Sequence, residues 1–243
     1  MATLTAGKPA VIVALSTPVA QAAKYTISTI PVVFTDVTDP VAAGLLKDRQ
    51  HGEKNITGAA DQQNLTALLL FAKKILPHAK TVGLLYASGE DNDNALLNMM
   101  RTATKQEGMQ LVAYPIDNAR DIPLRAQQFK GKVDFIYVGT SGAIQPSLPT
   151  IVAKADVLKI PIINADSTAV KDNQVLASFG VSYHQIGLNT AAIVARVLHG
   201  QAPADIVPIY PGIHDHQAVV SAKKAAQLGI TLPTHLTDVT IIH

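Results

Sequence analysis

The sequence contains neither cysteine nor tryptophan, and aromatic residues make up only 5% of its 243 positions. The absence of cysteine excludes disulfides, thiolate metal sites and a cysteine nucleophile. Hydrophobic residues nevertheless make up 48% of the chain, which is enough for a packed core and too much for a disordered chain. That core has to be built from valine, isoleucine, leucine and alanine, the residues of buried parallel strands and of the helices that cover them.

Charged side chains are also scarce, at 16%, and the formal net charge is +2. The sequence has no dense basic run and no alternation of basic and aromatic residues, which argues against nucleic acid as a partner. No stretch approaches the roughly 18 apolar residues of a membrane span. Residues Met1 to Lys8 lack the charged-then-apolar order of a secretion signal. We therefore expect a globular protein without a membrane span.

Short apolar runs alternate with longer segments of helical periodicity almost from the first residue. The apolar runs are continuous and rich in β-branched residues, which is typical of strands buried on both faces. They lie at residues 10–15, 31–35, 82–86, 133–138, 160–163 and 175–179. Helical stripes lie between them, one over residues 65–76 and another over 186–198. This alternation predicts an α/β fold with βαβ units, a mostly parallel sheet and helices on both faces.

The residues directly after the predicted strands are the first place to look for a function, because open parallel sheets bind ligands outside the carboxyl ends of their strands. These segments carry hydroxyls together with glycine, proline or a carboxylate, and the last pairs Ser182 with Tyr183. Small hydroxyls beside the free N–H groups of a helix N-terminus suit a carboxylate. An acidic residue such as Asp39 or Asp166 suits an ammonium group. The pattern favours a zwitterionic ligand over a phosphate.

Each of these residues also has a purely structural interpretation. Ser16 and Thr17 are equally consistent with helix caps, and Asp39 is consistent with a turn. Asp36 is expected to be a solvated turn residue, and a tyrosine at a helix start is often engaged in packing alone. Asp166 is the best functional candidate, because it follows a strand expected in the middle of the sheet, where a buried carboxylate needs a partner.

The common enzyme and cofactor motifs are missing from the sequence. It has no phosphate loop, no Gly-x-Gly-x-x-Gly after a strand and no Gly-x-Ser-x-Gly elbow. His214-Asp215-His216 contains two residues of a metal chelate, but no third ligand is near in sequence, and we expect an exposed turn there. Asp91 and Asp93 lack the glycine and glutamate of a calcium loop and are interpreted as a helix start. We expect no metal, no cofactor and no catalysis.

Taken in order, segments along essentially the whole chain resemble a bacterial family of ABC-transporter substrate-binding proteins. No single segment is specific, but the ordered set is. The segments are Val13–Gln21, Ile30–Phe34, Val37–Val41, Gly83–Tyr86, Gly131–Val138, Lys159–Asp166, Ser182–Gly187, Ala204–Ile206 and Leu228–Pro233.

The resemblance implies a type I periplasmic-binding-protein fold, in which two Rossmann-like lobes joined by three crossings close on a ligand like a hinge. The first lobe would comprise residues 1–79 and about 182–210, and the second residues 80–181 and about 211–243, with the first boundary near Pro77–Lys80. Members are associated with amino-acid-like ligands, including aromatic ones, that are delivered to a membrane permease. The implied function is therefore the solute-binding component of an ABC importer, located in the periplasm or at a lipid anchor outside the inner membrane.

The resemblance also implies seven ligand-binding residues, all of which follow predicted strands. They are Ser16, Thr17, Asp39, Thr140, Ser141, Asp166 and Tyr183. Of these, Ser16 and Thr17 would contact the ligand carboxylate from the first lobe, with Asp39 on the same side. Thr140 and Ser141 would face the ligand from the second lobe, Asp166 would bind its ammonium group, and Tyr183 would border the cleft.

Two departures from the family pattern bear on these expectations. Where the family often has Thr-Asp-Asn, this chain has Thr140-Ser141-Gly142, which predicts a roomier or less polar cleft and leaves the ligand open. The family also begins with an export or lipid-attachment peptide and two strand–helix units, whereas this sequence opens at the expected third strand. We therefore expect a first lobe that lacks about fifty to seventy residues and has an uncovered apolar sheet edge. If the start is genuine, the location would be the cytoplasm.

Two other functions are consistent with the sequence. One is a ligand-sensing effector domain of a regulator or signalling protein, which would need an attached DNA-binding or signalling segment. The other is an enzyme that uses Asp166 and a nearby histidine as acid and base, for which no paired motif is present.

Overall fold

The computed structural model describes residues 2–243. The helices and strands are, in chain order, α1 Ala2–Ala6, β1 Ile12–Leu15, α2 Thr17–Thr26, β2 Val32–Val37, β3 Ile56–Ala60, α3 Leu65–Ile75, β4 Thr81–Ala87, α4 Asp91–Gln106, β5 Gln110–Ile116, α5 Ile122–Gln127, β6 Phe135–Val138, α6 Leu148–Leu158, β7 Ile162–Asn164, α7 Thr168–Lys171, β8 Ala177–Val181, α8 Tyr183–Leu198, β9 His216–Ser221, α9 Ala222–Leu228 and β10 Val239–Ile242. Within this described part, no helix has the length and apolar character needed to cross a bilayer.

The chain divides into two compact units. The first runs to Gln63 and resumes over Ser182–Gly212, and the second comprises Asn64–Val181 and Ile213–His243. The first passage between units therefore lies before α3, and the predicted boundary near Pro77–Lys80 falls inside the second unit. The reason is packing, because the buried stripe of α3 joins a core cluster with side chains of β4, α4 and β8.

The first unit contains a three-stranded parallel sheet in the order β1-β2-β3. Helix α2 covers one face of this sheet, where Ala20 and Ala23 join the core cluster of β1 and β2. Helix α8 covers the other face with Ile193 and Val197, two residues of the predicted stripe. The first unit therefore has a βαβ core with helices on both faces.

Strand β1 forms one edge of that sheet. Its side chains alternate between the two faces, as in any strand, and Ile12 and Ala14 are buried. Val13 and Leu15 are 48% and 60% exposed. The predicted uncovered apolar edge is therefore present, on one face of this strand.

The second unit contains a seven-stranded sheet in the order β10-β9-β8-β7-β6-β4-β5. The β8–β9 pair is antiparallel and the other pairs are parallel. The two faces of β6 belong to different core clusters: Phe135 and Tyr137 join the cluster of α3 and α4, and Ile136 and Val138 join that of α5 and α6. The predicted mostly parallel sheet with helices on both faces is confirmed in this unit.

All six predicted strands are present, and both predicted helical stripes lie in α3 and α8. Four strands were not predicted, namely β3, β5, β9 and β10. Strand β3 has no apolar run because it holds small residues. A Cβ on its Gly58 would lie 2.1 Å from the carbonyl oxygen of Phe34 and 2.5 Å from Cγ of that ring. The aromatic ring of β2 thus occupies the space that a larger side chain of β3 would need.

Candidate functional site

In the first unit, the carboxyl ends of the three parallel strands lie side by side. The N–H of Ser16 donates to the carbonyl of Thr35 at 3.0 Å, and the N–H of Asp61 donates to that of Val37 at 3.1 Å. Ser16 therefore follows β1 directly beside Asp36 of β2, and Asp61 follows β3 on the other side. These polar residues form one row across the end of the sheet, where ligands bind in folds of this class.

Ser16 and Thr17 lie at the N-terminus of α2, but their hydroxyls do not cap the helix. Ser16 occupies the N-cap position without a side-chain capping bond in the described chain, and Pro18 follows in the first turn as expected. The backbone of Ser16 has φ 79 and ψ 156, a region that costs a non-glycine residue on the order of 1–3 kcal/mol. Thr17 is 3% exposed, and among residues 2–243 its hydroxyl has no hydrogen-bond partner. The capping interpretation therefore does not account for either hydroxyl.

Asp36 and Asp61 form a carboxyl pair next to this helix N-terminus. Asp36 is half-buried and lies at an irregularity of β2 between Phe34 and Val37, with φ 57. Burial, followed by the charge of Asp61 and a hydrogen bond to it, raises the pKa of Asp36 to about 7. The expectation of a solvated turn residue was wrong, because the irregular backbone turns Asp36 toward β3.

Asp39 follows β2 by two residues and has a structural role of its own. Its Oδ1 accepts the N–H groups of Val41 and Ala42, both at 3.0 Å. This is the turn that the sequence left open as an alternative. The carboxylate of Asp39 also raises the pKa of Tyr210, although burial is the larger cause and the charge of Arg49 opposes it. Asp39 therefore lies in the same electrostatic environment as Tyr210.

Tyr210 lies beside the end of β3, and Gln63 follows this strand by three residues. The segment before Tyr210 runs along this strand, because the N–H of Ala60 donates to the carbonyl of Ile209 at 2.9 Å. The guanidinium of Arg49 stacks over the Tyr210 ring, 3.8 Å from its centroid. Gln63 is 5% exposed. Within the described chain, the Tyr210 hydroxyl and Oε1 of Gln63 lack hydrogen-bond partners.

In the second unit, the residues predicted after β6 and β7 follow neighbouring strands, since Val138 lies beside Asn164. Strand β7 is in the middle of its sheet, as expected. Asp166 is half-buried rather than buried, because its Oδ1 accepts the N–H of Thr168 at 2.9 Å in an exposed turn. Thr140 is also half-buried.

Ser141 is buried and its hydroxyl joins two loops. It donates to Oδ2 of Asp93 at 2.8 Å and accepts the N–H of Ile144 at 3.1 Å. Asp93 also accepts the N–H of Ala87 at 2.5 Å, and burial raises the pKa of this carboxyl against the opposing effect of these hydrogen bonds. Ser141 therefore ties the end of β6 to the start of α4, a structural role that its position after a strand did not predict.

Tyr183 is the first residue of α8 and is 51% exposed. The predicted exposed turn at His214-Asp215-His216 is found only in part. His214 is exposed, whereas His216 begins β9, accepts the N–H of Asn64 at 2.9 Å and stacks on Phe179 with 5.4 Å between ring centroids. In residues 2–243, no group of three or more histidine, aspartate or glutamate side chains is placed to hold a metal ion.

Four polar residues near the end of β3 were not predicted from the sequence: Asp61, Gln63, Arg49 and Tyr210. Asp61 lies before the predicted helical stripe at 65–76, and it follows a strand, β3, that was not predicted. The residues near β3 were hidden because that strand has no apolar run. One signal was available: Asp36 follows the 31–35 run directly, at the position where a strand-end ligand contact is expected.

Two α/β units, each with polar residues at the carboxyl ends of parallel strands, are the arrangement found in type I periplasmic-binding proteins. A family model described as "ABC transporter substrate binding protein" matches residues 1–240, and the chain belongs to this family. A relative named "Tyrosine-binding protein" from Clostridioides difficile (strain R20291) is 32% identical over 199 residues. The match covers 82% of this chain and 57% of that relative, so the chain spans a little over half of the relative's length.

Solved structures give the same fold. A conserved domain protein from Vibrio cholerae has a TM-score of 0.91 at 32% identity, over 98% of this chain and 80% of that one. An "ABC domain in complex with L-Trp" from Streptococcus pneumonia also has a TM-score of 0.91, at 28% identity over 99% of this chain and 81% of that one. The predicted fold class and the predicted family are thereby confirmed.

Proposed function

We propose that this chain captures an amino-acid-like ligand as the solute-binding component of an ABC importer. The observation that carries the proposal is the row of polar groups in the first unit. In this row the hydroxyls of Ser16 and Thr17, which do not cap α2, adjoin the Asp36–Asp61 pair. This row places groups suited to an anion beside groups suited to a cation, which matches a zwitterion. The names of two relatives, with tyrosine in one and a tryptophan complex in the other, support an aromatic amino acid.

The N-terminus of α2 is the proposed carboxylate site. Its first N–H groups have no intrahelical partners, and the helix dipole favours negative charge there. Thr17 adds a buried hydroxyl that has no partner within residues 2–243. A ligand carboxylate would satisfy this hydroxyl and the N–H groups together.

Of the other predicted residues, Asp39, Thr140, Asp166 and Tyr183 are proposed as further ligand contacts. Ser141 is not proposed as a contact, because its hydroxyl bonds Asp93 and the N–H of Ile144. As a member of an importer, the protein would work outside the inner membrane and hand its ligand to a membrane permease. Both the location and the partner belong to the proposal.

The experiment that tests the proposed function is a binding screen of the purified chain against the common L-amino acids, followed by thermal unfolding and calorimetry. A ligand that binds only the native state raises the melting temperature with its concentration. We expect L-tryptophan or L-tyrosine to do so, and we expect tryptamine and indole-3-propionate, which each lack one charged group, to bind much more weakly. Absence of a shift with every amino acid contradicts the proposal.

Replacement of Thr17 by valine is expected to weaken ligand binding without weakening the fold. Valine keeps the shape of the side chain and removes a buried hydroxyl that has no partner in the described chain, so the free energy of unfolding should stay constant or rise. Loss of a hydrogen bond to the ligand carboxylate costs about 1.5 kcal/mol or more, a rise in Kd of roughly tenfold. Calorimetry and urea unfolding measure the two quantities.

The matched control is Thr26→Val at the other end of α2, where the hydroxyl is exposed and bonds only the Ala22 carbonyl at 2.6 Å. This variant should bind the ligand like the parent chain. Equal affinities for Thr17→Val and the parent would remove Thr17 from the site.

A further inference from the structure

The Asp36–Asp61 pair has the properties of a site for a cation rather than of a structural contact. Asp36 lies at the irregularity near the end of β2, Asp61 directly follows the neighbouring strand β3, and the two carboxyl groups share a hydrogen bond. Asp36 takes part in no salt bridge among residues 2–243. Its Oδ1 is buried and, in the same described part, has no hydrogen-bond partner. Two carboxylates at hydrogen-bond distance repel each other unless a proton or a cation lies between them.

A second observation, independent of the carboxyl groups, points to the kind of cation. Gln63 is 5% exposed and its Nε2 donates to the backbone carbonyl of Asp61 at 2.9 Å, which fixes the amide next to the backbone of one member of the pair. Oε1 of Gln63 is buried and accepts no hydrogen bond from any described residue. Buried acceptors of this kind normally have donors. Oδ1 of Asp36 and Oε1 of Gln63 are therefore two acceptors that a ligand could satisfy, and an ammonium group has three N–H donors.

We propose that Asp36 and Asp61, with Gln63, form the ammonium-binding element of the site, and that ligand capture displaces the proton that the two carboxyl groups share. The inference rests on the proposed function and differs from the implied assignment of the ammonium group to Asp166. The proton balance is simple. Below the pKa of Asp36, the two carboxyl groups hold one proton when no ligand is bound. The ligand arrives as R–NH₃⁺, its N–H groups donate to both carboxylates, and the displaced proton passes to the buffer.

The affinity then depends on pH in a defined direction. Below the pKa of Asp36, which is about 7, the ligand has to displace a proton, so Kd falls as pH rises. Above it, the pair is already ionised and Kd levels off. Other titratable groups at this edge are Asp39, Tyr210 and Arg49, with the exposed Asp48–His51 pair beyond them. Burial raises the pKa of Tyr210 further above the neutral range, and Arg49 stays charged.

The test is calorimetry with L-tryptophan in buffers of different ionisation enthalpy, which gives the number of protons released on binding. We expect about one proton at pH 6, almost none at pH 8.5, and a Kd roughly tenfold or more higher at pH 5.5 than at pH 7.5. Asp36→Asn should abolish the proton release and raise Kd at pH 7.5 more than tenfold. Asp166→Asn, at a proposed ligand contact, should bind more weakly and still release the proton when it binds. The control is Asp48→Asn, at an exposed carboxylate of the first unit, which should match the parent in both affinity and proton release.

The outcomes separate this inference from the proposed function. Binding of L-tryptophan without proton release at pH 6, or equal release by Asp36→Asn, overturns the inference and leaves amino-acid capture standing. If Asp166→Asn alone loses the proton release, the ammonium group binds in the second unit, and the inference is overturned as well. Absence of binding by every amino acid overturns both. A melting curve of Asp36→Asn confirms that the variant is folded.

Discussion

Replacement of Gly58 by alanine is expected to lower the free energy of unfolding by about 3 kcal/mol or more, since overpacking at a rigid contact is among the costliest single changes. The added Cβ would lie 2.1 Å from the Phe34 carbonyl oxygen and 2.5 Å from Cγ of the same residue. Phe34 is fully buried, so neither the ring nor the backbone of β2 has room to retreat. Urea unfolding of the variant measures the loss.

The same change should also disturb the candidate site. Strand β3 ends at Ala60, next to Asp61, and any shift of β3 away from β2 separates Asp61 from Asp36. The variant should therefore lose ligand affinity even under conditions in which it stays folded.

The control for this prediction is Gly187→Ala, in the second turn of α8 of the same unit. Within the described chain, a Cβ at Gly187 would meet nothing within 4 Å, and alanine is favoured over glycine in a helix by roughly 1 kcal/mol. This variant should be as stable as the parent or more so. If the stability of Gly58→Ala is also within about 1 kcal/mol of the parent, β2 and β3 can separate enough at this point to accept a Cβ, which contradicts the prediction.

The part of the fold that the sequence predicts is the part that local pattern determines. Short continuous apolar runs between turn residues favour a buried strand, and β1, β2, β4, β6, β7 and β8 were predicted from such runs in their own residues. Strand β3 has no such pattern. Its position depends on the aromatic ring of Phe34, which lies 24 residues earlier in the chain and requires glycine opposite it. That information is tertiary, and no window of sequence contains it.

The same difference between local and tertiary information applies to the candidate site. The strand-end rule located Ser16, Thr17 and Asp166 from sequence alone. It did not determine what each side chain does there. The hydroxyls at α2 were interpreted as possible caps and make no capping bond in the described chain, whereas Asp166, expected to be buried, is half-exposed in a turn that uses its carboxylate. The sheet topology determines where these residues lie, and the local backbone geometry determines what their side chains bind.

The Asp36–Asp61 pair also predicts an unusual dependence of stability on pH in the free protein. The pKa of Asp36 is about 7 in the folded chain against an ordinary value of 3.8, so between these pH values the folded state holds a proton that the unfolded state has lost. The free energy of unfolding should therefore fall as pH rises through this window, by up to about 1.4 kcal/mol per pH unit from this group. Most carboxylates act in the opposite direction, because pairing lowers their pKa.

Asp36→Asn should remove that slope, since asparagine keeps the shape and does not titrate. Urea unfolding at pH 5, 6, 7 and 8 gives the free energy of unfolding of both proteins. The value of the variant relative to the parent should rise with each pH step, and at pH 8 the variant should be the more stable protein. Parallel pH profiles would contradict the prediction. Asp61→Asn should also flatten the slope, because it removes the charge that helps to raise the pKa of Asp36. A variant that is more stable at pH 8 and binds an amino acid more weakly would show that this acidic pair is retained for the ligand at a cost to the fold.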